Sequence, residues 1–423
     1  MIRTIARYGV RHVSGSFRAA LKAIARGEGV RGANVHEFEK RFAQYHGVRH
    51  AISASYGRMA FYYILKALEL PRDSEVIFPA LTFWVVPEMA RLLGFRPVFV
   101  DIDAATFNID PAKLKQAVTS NTRVIVPTHL YGQTCDMDPI MSVAREHNLI
   151  VIEDCAHALG ATYRGRKSGT FGDAAFFSFQ MLKPLNTYGG GMAVTNNAEF
   201  ATRIRSQAEG EPWPLAKDIF RKIVFGNLQR KLIGPYGFTF TMYLAFYIAS
   251  FFGDYDLSRY LWEKIRPLEP FPDSYRRRYS NAQALIGLEM LEQIDAFNAL
   301  NRAHAETLTA ALSGMEAIQT PAVLPATAPV YYQYCIRPSD PATLKVHAIR
   351  RGVDIEIMHV DICNTLDLFA PFHAKCPVAE GTEETLQLPV YASLTTSDLN
   401  RIIHVIRGAV NKSGTETELT AAS

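Results

Sequence analysis

Two apolar runs, RVIVPTHL (residues 123–130) and LIVIEDC (residues 149–155), decide the fold of this chain. Both are rich in Val and Ile, which is typical of strands that are buried on both faces of a parallel sheet. The stretch between them is long enough for a helix, and two such strands joined by a helix form a βαβ unit. We therefore predict a parallel sheet at the centre of the protein.

The same alternation of helical and strand-like segments continues over about residues 34–200. Helical periods occur in FEKRFAQYHGV (38–48) and GRMAFYYILKALEL (57–70). Five further strands are predicted between Gly, Pro or Asp residues, namely HAISAS (50–55), EVIFPA (75–80), RPVFVDI (96–102), AAFFSF (174–179) and GMAVTN (191–196). The pattern indicates a large, mostly parallel α/β/α domain, in which chemistry lies at the carboxyl ends of the strands.

The C-terminal part of the chain predicts a smaller α+β domain. A long amphipathic helix (280–312) leads into a strand, YYQYCIRP (331–338), and two further helices, PATLKVHAIRRG (341–352) and TTSDLNRIIHVIRGAV (395–410). The predicted organisation is a helical N-terminal arm at 1–33, a large domain at 34–278, a small domain at 279–412 and a disordered tail at 413–423. In the arm we expect a helix that begins at Ser16 and presents a solvated basic face.

Composition excludes several classes of protein. Hydrophobic residues make up 48% of the chain and charged residues 20%, which are ordinary globular values. A net charge of +4 does not indicate a nucleic-acid partner. The five cysteines are scattered without CxxC spacing, so we expect neither a disulfide framework nor a metal site. The arginine-rich N-terminus lacks the continuous apolar core of a secretory signal, and we expect it to be retained in a cytoplasmic protein.

Two stretches carry the candidate chemistry. In VIEDCAHALGATYRG (151–165) an acidic pair ends an apolar strand, so Glu153 or Asp154 should meet a cation or a protonated ring nitrogen. In FSFQMLKPLNTYGGGMAV (177–194) Lys183 follows a strand, where a desolvated amine can lose its proton and attack a carbonyl carbon. An acid, an amine, a serine and glycines are the parts that a pyridoxal phosphate enzyme needs. The alternative is that Lys183 is a solvated loop residue.

The sequence closely resembles the DegT/DnrJ/EryC1/StrS family of sugar aminotransferases, which are pyridoxal phosphate enzymes of fold type I. The matching segments keep their order over nearly the whole chain: 36–60, 75–84, 96–111, 127–140, 152–183, 280–295 and 376–395. The resemblance implies that Lys183 is the Schiff-base lysine, which also moves the substrate proton. It implies that Asp154 keeps the pyridine nitrogen protonated and that His157 lies beside the ring hydroxyl.

The resemblance also implies where the rest of the cofactor binds. Ser178 matches the serine that binds the phosphate, and Gly57 with Arg58 aligns with the family's Gly-Thr phosphate cup. The backbone of a strand-to-helix turn suits an anion for independent reasons. Phe83 or Trp84 would stack on the ring.

Other positions are implied to contact a second subunit or the substrate. Ser280, with Asn281 beside it, matches the position that reaches the neighbouring subunit's cofactor, so the resemblance implies a homodimer with shared active sites. We expect substrate contacts at Tyr188 and at His359.

Two positions depart from the family pattern. Arg58 replaces the usual threonine, which we interpret as a variation in the cup because arginine binds phosphate well. The family's GEGG is here Tyr188, Gly189, Gly190 and Gly191, so an acidic residue is missing and the substrate contacts nearby are in doubt.

The chain between Arg205 and Arg278 is longer than the resemblance implies, so we expect an insertion at about 206–277. Within it, LIGPYGFTFTMYLAFYIASFFG (232–253) carries no charge and is long enough to cross a bilayer as a helix. A single crossing would put the two halves of one active site on opposite sides of the membrane, so we exclude it. Two interpretations remain: a helix in the membrane interface flanked by basic segments, and a hydrophobic lid or dimer element.

The resulting prediction is an aminotransferase that moves an amino group from glutamate to a keto sugar, most simply a nucleotide-linked one. Three alternatives stay open at this stage. The keto substrate could be attached to a lipid, or the protein could be a sugar dehydratase, although relatives of that kind have histidine in place of the lysine. The third alternative is a non-catalytic, membrane-associated relative without cofactor.

Overall fold

The computed structural model describes residues 3–252, 263–357 and 360–421, with 411–421 described by their backbone alone. In chain order its strands are β1 (His50–Ala54), β2 (Glu75–Pro79), β3 (Arg96–Val100), β4 (Thr122–Ile125), β5 (Ile150–Asp154), β6 (Thr162–Tyr163), β7 (Arg166–Lys167), β8 (Ala174–Ser178), β9 (Gly191–Thr195), β10 (Ile318–Gln319), β11 (Thr327–Ala328), β12 (Tyr334–Pro338), β13 (Glu356–Ile357) and β14 (Leu386–Leu388).

The helices surround these strands. They are α1 (Ser16–Ala25), α2 (Asn34–His46), α3 (Gly57–Ala67), α4 (Val85–Leu92), α5 (Pro111–Ala117), α6 (Met137–His147), α7 (Ala198–Glu209), α8 (Ala216–Ile233), α9 (Pro235–Phe240), α10 (Met242–Ala249), α11 (Asn281–Glu292), α12 (Ile294–Leu312), α13 (Pro341–Arg350), α14 (Pro377–Glu380) and α15 (Thr396–Ala421).

The central sheet has seven strands in the order β1-β9-β8-β5-β4-β2-β3. Neighbours from β8 to β3 are parallel, whereas β9 runs antiparallel to β1 and to β8. All seven are the strands expected from the sequence, and the pair β4 and β5 with α6 between them forms the predicted βαβ unit. The prediction of a mostly parallel α/β domain is confirmed.

Helices cover both faces of this sheet, which is why its strands are apolar on both sides. On one face α3 packs over β8 and β9, α7 over β1 and β9, and α4 over β3. The Phe61 ring of α3 is 4.8 Å from the Phe176 ring of β8. On the other face α2, α11 and α1 enclose Phe38, Phe42 and Phe179. The carboxyl ends of the strands stay uncovered by these layers.

The C-terminal residues form a four-stranded sheet, β10-β12-β14-β13, packed against α12, α13 and α15. The N-terminal segment joins this unit, because Ile5 pairs with Val353. The Arg7 guanidinium is buried and donates to Asp354 at 2.7 Å. The N-terminal segment is therefore not a free arm, and part of its basic character is neutralised in the interior. The helix predicted at Ser16 is present, with Gly15 at the capping position.

The insertion forms three consecutive helices, α8, α9 and α10. Helix α8 ends before Pro235, because proline cannot supply the N–H that a continuous helix needs there. A second break lies at Thr241, whose φ of −113° and ψ of −72° depart from helical values. Among the described residues, no helix is long and apolar enough to cross a membrane.

The last helix, α15, continues to Ala421 and so includes most of the segment 413–423 for which the sequence predicts disorder. Extending an established helix by one residue is much easier than nucleating a new one, so small polar residues can continue a helix that is packed at its start.

Candidate active site

Loops at the carboxyl ends of the sheet bring the predicted residues together. Asp154 is the last residue of β5 and Ser178 the last of β8, while α3 begins at Gly57 directly after β1. Lys183 lies in the loop between β8 and β9. The backbone of that loop returns to the start of α3, since Gly190 pairs with Tyr56. The parallel arrangement therefore places the acid, the amine and a helix N-terminus at one edge.

Asp154 and Lys183 act on each other electrostatically. Burial raises the pKa of Asp154 to about 6, and the Ala156 N–H at 3.0 Å and the Lys183 amine oppose that rise. Burial lowers the pKa of Lys183 to about 8, against the attraction of Asp154. A lysine with this pKa is partly neutral near pH 7, which is the state that a nucleophile or proton acceptor requires. The interpretation of Lys183 as a solvated loop residue is not supported.

Glu153, the neighbour of Asp154, has a structural role. Its carboxylate accepts hydrogen bonds from the backbone N–H groups of Gly169, Phe171 and Gly172 at 2.7–2.8 Å. It also receives the Nε2–H of His129 at 2.9 Å, because the other ring nitrogen of His129 accepts from the Cys135 N–H. Glu153 therefore satisfies the hydrogen-bonding needs of the backbone N–H groups in the loop after β7. Of the acidic pair, only Asp154 remains to interact with Lys183.

His129, Glu153 and Cys155 form a buried group whose ligand atoms lie within 4.8 Å of one another. These residue types can bind a metal, but the carboxylate and both ring nitrogens are already hydrogen-bonded within the protein. We therefore assign this group to holding the end of β5 in place.

The His157 ring packs against Tyr332, a residue that the sequence analysis did not propose for the site. Its Nδ1 accepts the Tyr131 N–H at 3.3 Å, and its ring centroid is 4.2 Å from that of Tyr332. The Tyr332 ring is also 4.8 Å from the Lys183 Nζ. Burial, together with the Lys183 charge, lowers the pKa of His157 well below its usual value, so the imidazole is neutral. Tyr332 belongs to the YYQYCIRP segment, which the sequence predicted only as a strand.

The start of α3 approaches β8 and β9 closely. A Cβ atom added to Gly57 would lie 2.8 Å from the Ser178 Cβ, and one added to Gly191 would lie 2.5 Å from the Gly57 Cα. The capping residue Tyr56 makes no side-chain hydrogen bond to the first turn of α3. The result is a glycine-lined helix N-terminus beside a serine, which suits a phosphate group.

Arg58 is bound to a protein carboxylate in this structure. Two of its N–H groups donate to Glu263 at 2.8 Å, and a third contact joins it to the Tyr275 hydroxyl at 2.5 Å. Arg58 was expected to line the phosphate cup. In the structure its guanidinium is instead paired with Glu263, in the C-terminal part of the insertion.

The structure distinguishes the two aromatic candidates for ring stacking. Trp84 is 1% exposed and packs in the core of the large domain, so its ring is not available to a ligand. Phe83 is 41% exposed, and its ring centroid is 5.5 Å from the Arg58 guanidinium carbon. Phe83 is therefore the better candidate, and the suggestion of Trp84 is not supported.

Ser280 and Asn281 lie in the interior of the chain. The Ser280 hydroxyl contacts the Gln283 side chain at 2.8 Å, where it caps α11. The Asn281 amide accepts from the Asn34 N–H at 3.0 Å and donates to the Glu28 carbonyl at 2.8 Å. Because both are buried and engaged within one chain, this geometry does not support their predicted contact with a neighbouring subunit's cofactor.

The glycine run after Lys183 is a tight loop. Gly189 and Gly190 have φ angles of 120° and 119°, which side chains rarely adopt. The Gln283 amide donates to the Gly189 carbonyl at 2.8 Å and so holds the loop against α11, a role the sequence did not reveal. Tyr188 is buried against Gly226 of α8 and does not face the strand ends, so its predicted substrate contact is not supported. His359 lies outside the described residues.

These residues fit pyridoxal phosphate. A buried carboxylate can hold a proton on the pyridine nitrogen, an amine with a lowered pKa can form the imine, and the glycine cradle at α3 can take the phosphate. Asp154, Lys183, His157, Ser178, Gly57 and Phe83 are the candidates that the fold gathers at this edge of the sheet.

Comparisons with known proteins agree with this geometry. The sequence model of the DegT/DnrJ/EryC1/StrS aminotransferase family matches residues 13–226 and 257–407. GDP-perosamine synthase of Caulobacter vibrioides is 33% identical over 385 residues, which cover 88% of this chain and 89% of that protein. A dTDP-3-amino-3,6-dideoxy-alpha-D-galactopyranose transaminase of Aneurinibacillus thermoaerophilus is 41% identical over 174 residues, 41% of this chain and 48% of that protein.

Solved structures share the whole architecture. The crystal structure of DesV from S. venezuelae superposes with a TM-score of 0.74 at 26% identity, over 95% of this chain and 99% of that one. The predicted fold type I architecture and the family resemblance are both confirmed.

Proposed function

The chain belongs to the DegT/DnrJ/EryC1/StrS aminotransferase family, and we propose that it transfers an amino group from glutamate to the ketone of a nucleotide-linked sugar. The amino sugar would serve a surface polysaccharide, a glycolipid or a secondary metabolite. The observation that carries the proposal is that the fold brings Asp154, at the end of β5, close enough to Lys183, in the loop between β8 and β9, for each to shift the pKa of the other. The names of the relatives, a GDP-perosamine synthase and a dTDP-amino-sugar transaminase, support the substrate class.

Pyridoxal phosphate, when bound, supplies an electron-accepting ring that stabilises the negative charge left on a substrate carbon after its proton is removed. Lys183 would hold the cofactor through its Nζ. Once the incoming amine had released it, the Lys183 amine would accept the proton from the substrate carbon and pass it to a carbon of the cofactor next to that position. One base can serve both half-reactions, since the second is the first in reverse. The lowered pKa of Lys183 suits this work, because it makes the neutral amine available near neutral pH.

Asp154 and His157 would set the protonation of the ring. The Asp154 carboxylate would keep a proton at the pyridine nitrogen. Because the His157 Nδ1 accepts the Tyr131 N–H, its Nε2 carries the hydrogen and can donate to the ring oxygen. The Tyr332 ring, which lies next to both the His157 ring and the Lys183 Nζ, would shield these two groups from water.

Phosphate and ring faces would be held by the remaining residues. Ser178 and the first turn of α3 at Gly57 would bind the phosphate, and the exposed Phe83 would cover one face of the ring. These residues would contribute to the reaction by holding the cofactor in the correct position, and they would not transfer protons themselves.

We further propose a cytoplasmic homodimer with shared active sites, in which residues 232–253 make a peripheral contact with the membrane. The dimer rests on the resemblance alone, since Ser280 and Asn281 are buried within one chain. The comparisons do not favour the dehydratase, the lipid-linked substrate or the non-catalytic alternative, because two of the relatives are named as an aminotransferase and a transaminase of nucleotide-linked sugars. Lysine at position 183 also argues against the dehydratase.

The test uses the purified full-length protein loaded with pyridoxal phosphate. Glutamate should bleach the visible absorbance of the cofactor and release one 2-oxoglutarate per site. The reverse reaction, from GDP-perosamine and 2-oxoglutarate, should form glutamate, and a panel of other nucleotide-linked amino sugars would then identify the preferred substrate. If no amino sugar nucleotide forms glutamate while glutamate alone still reacts, the proposed acceptor is wrong. If glutamate does not react either, the aminotransferase assignment of the site fails.

A further inference from the structure

The insertion exposes a regular row of apolar side chains. A large hydrophobic residue occurs at every fourth position from 232 to 252, and all six are exposed: Leu232 (42%), Tyr236 (68%), Phe240 (73%), Leu244 (62%), Ile248 (51%) and Phe252 (86%). We call these six side chains the apolar face. So many exposed large apolar side chains within one short stretch of chain are typical of a contact with a partner.

This exposure is concentrated in one part of the chain. Among the described residues, sixteen large hydrophobic side chains are exposed, and ten of them lie between 220 and 252. The family's sequence model matches the chain on either side but leaves 227–256 unmatched. The apolar face is thus an addition to the shared fold, and its role lies outside the reaction that the family has in common.

The opposite side of the same helices is anchored to the protein. Phe238 and Phe246 are buried against Ala6 and Ile349, and the Thr239 hydroxyl lies 2.7 Å from that of Thr4. The helices α9 and α10 therefore cover the small domain and the N-terminal segment. This placement argues against the interpretation of 232–253 as a lid over the active site.

Most of the charged residues beside the apolar face in the sequence are basic, although Asp254 and Asp256 follow it directly. Residues 219–253 contain four cations, Arg221, Lys222, Arg230 and Lys231, and no acidic residue. The guanidinium carbon of Arg3 is 5.4 Å from the Tyr236 ring, and that of Arg350 is 4.1 Å from the Phe251 ring. Cations beside exposed aromatic rings match a surface of lipid phosphates over acyl chains. In a symmetric contact between two copies the same cations would face one another, which disfavours self-association through this face.

The helices are also of the right kind for an interfacial contact. None of the described helices can span a bilayer, and α9 and α10 have only 6 and 8 residues. Short helices with exposed apolar side chains and basic neighbours can lie in the plane of the interface, with the apolar side chains at the boundary between headgroups and acyl chains.

We propose that the apolar face docks on the surface of an anionic phospholipid bilayer. The six apolar side chains would enter the headgroup region, and Lys231 with the neighbouring arginines would contact lipid phosphates. The contact is peripheral and reversible, and it is separate from amino transfer, which takes place at the strand ends.

The experiment is co-sedimentation of the full-length protein with vesicles. Binding is compared between vesicles of phosphatidylcholine alone and vesicles that also contain phosphatidylglycerol. We expect binding to the anionic vesicles that weakens with added salt. The double variant Phe240→Ser/Leu244→Ser should bind at least about tenfold more weakly, since two apolar side chains no longer enter the interface. Lys231→Glu should also weaken binding, and Leu300→Ser, at an exposed position on α12, should bind like the wild type.

Three results would overturn the proposal. The first is no binding to anionic vesicles, and the second is equal binding to both kinds of vesicle. The third is a change of molecular mass in the Phe240→Ser/Leu244→Ser variant by analytical ultracentrifugation, which would assign the apolar face to a contact between copies. The reaction with glutamate without vesicles serves as the fold control. It should be unchanged in every variant, so a failure of membrane docking is distinguishable from a failure of the proposed enzyme activity.

Discussion

Arg58 and Glu263 are joined by two hydrogen bonds of 2.8 Å, although 205 residues separate them in the sequence. Burial opposes the charge on Arg58, but the bonds to Glu263 prevail and raise its pKa. Arg58 stands at the second position of α3, beside the proposed phosphate cradle. The carboxylate of Glu263 and a cofactor phosphate would therefore compete for one guanidinium.

The first prediction concerns this competition. Glu263→Gln removes the competing carboxylate, so we expect pyridoxal phosphate to bind roughly threefold to tenfold more tightly, an effect of about 1 kcal/mol for a partly exposed charge. Arg58→Met should weaken binding. Equilibrium titration of the apo protein with the cofactor measures both, and Glu269→Gln, at an exposed glutamate 3.8 Å from Arg91, is the control. Weaker binding by Glu263→Gln would show that the ion pair supports the cradle and does not compete with phosphate.

Lys183→Ala is expected to abolish covalent attachment of the cofactor and to lower the rate of amino transfer by about 10⁴-fold or more, because the nucleophile and the base are lost together. Borohydride reduction followed by peptide mass spectrometry locates the attachment. The exposed Lys40→Ala variant should behave as wild type. Attachment at any lysine other than Lys183 contradicts the assignment.

The pH dependence of cofactor capture follows from the pKa of Lys183. Burial lowers that pKa to about 8, so the reactive neutral amine is scarce at pH 6 and predominates above pH 8. The rate of capture should therefore rise about tenfold per pH unit up to pH 8 and then level off. Since the Asp154 charge raises the pKa of Lys183, Asp154→Asn should move the midpoint to lower pH. A midpoint that stays in place or rises in this variant would contradict the coupling.

Glu153→Gln should destabilise the protein although it removes no catalytic group. A glutamine NH₂ would face backbone N–H donors that now bond to the carboxylate, so at least one buried donor loses its partner. We expect a loss of roughly 1–3 kcal/mol in the free energy of unfolding. Urea denaturation measures it, with Glu146→Gln at the surface as a control expected within about 0.5 kcal/mol of wild type. Equal free energies of unfolding for the two variants would contradict the structural role assigned to Glu153.

Two glycine variants separate backbone strain from steric clash. Gly165 has a φ of 75° and open space around it, so Gly165→Ala should lose about 1 kcal/mol from strain alone. Gly190 has a φ of 119°, and its Cβ would lie 2.3 Å from the Tyr279 ring. Gly190→Ala should therefore lose more stability than Gly165→Ala and also weaken cofactor binding through the Lys183 loop. Urea denaturation and cofactor titration provide the comparison, and an equal loss in both variants would mean that Tyr279 moves aside freely.

Several sequence predictions were correct because they depend on local patterns. All seven strands of the central sheet follow from apolar runs with nearby breakers, and the order of motifs identified the family. Predictions that depended on contacts between distant segments were less successful. Trp84 was a candidate for ring stacking, yet its side chain packs in the core, and Ser280 and Asn281 were expected at a subunit contact but bind their own chain.

The sequence by itself determined the sheet and the family and led to the proposal of Asp154 and Lys183 as acid and amine, because strand patterning and motif spacing are properties of short segments. The tertiary structure alone decided which acid of the pair faces Lys183, because Glu153 is taken up by a loop that arrives sixteen to nineteen residues later. It likewise placed the Tyr332 ring against His157 and near Lys183, and it paired Arg58 with Glu263. The tertiary structure also shows that the apolar segment is divided into short helices with exposed apolar side chains. These outcomes depend on which side chains meet when remote parts of the chain pack together, and a linear pattern does not contain that information.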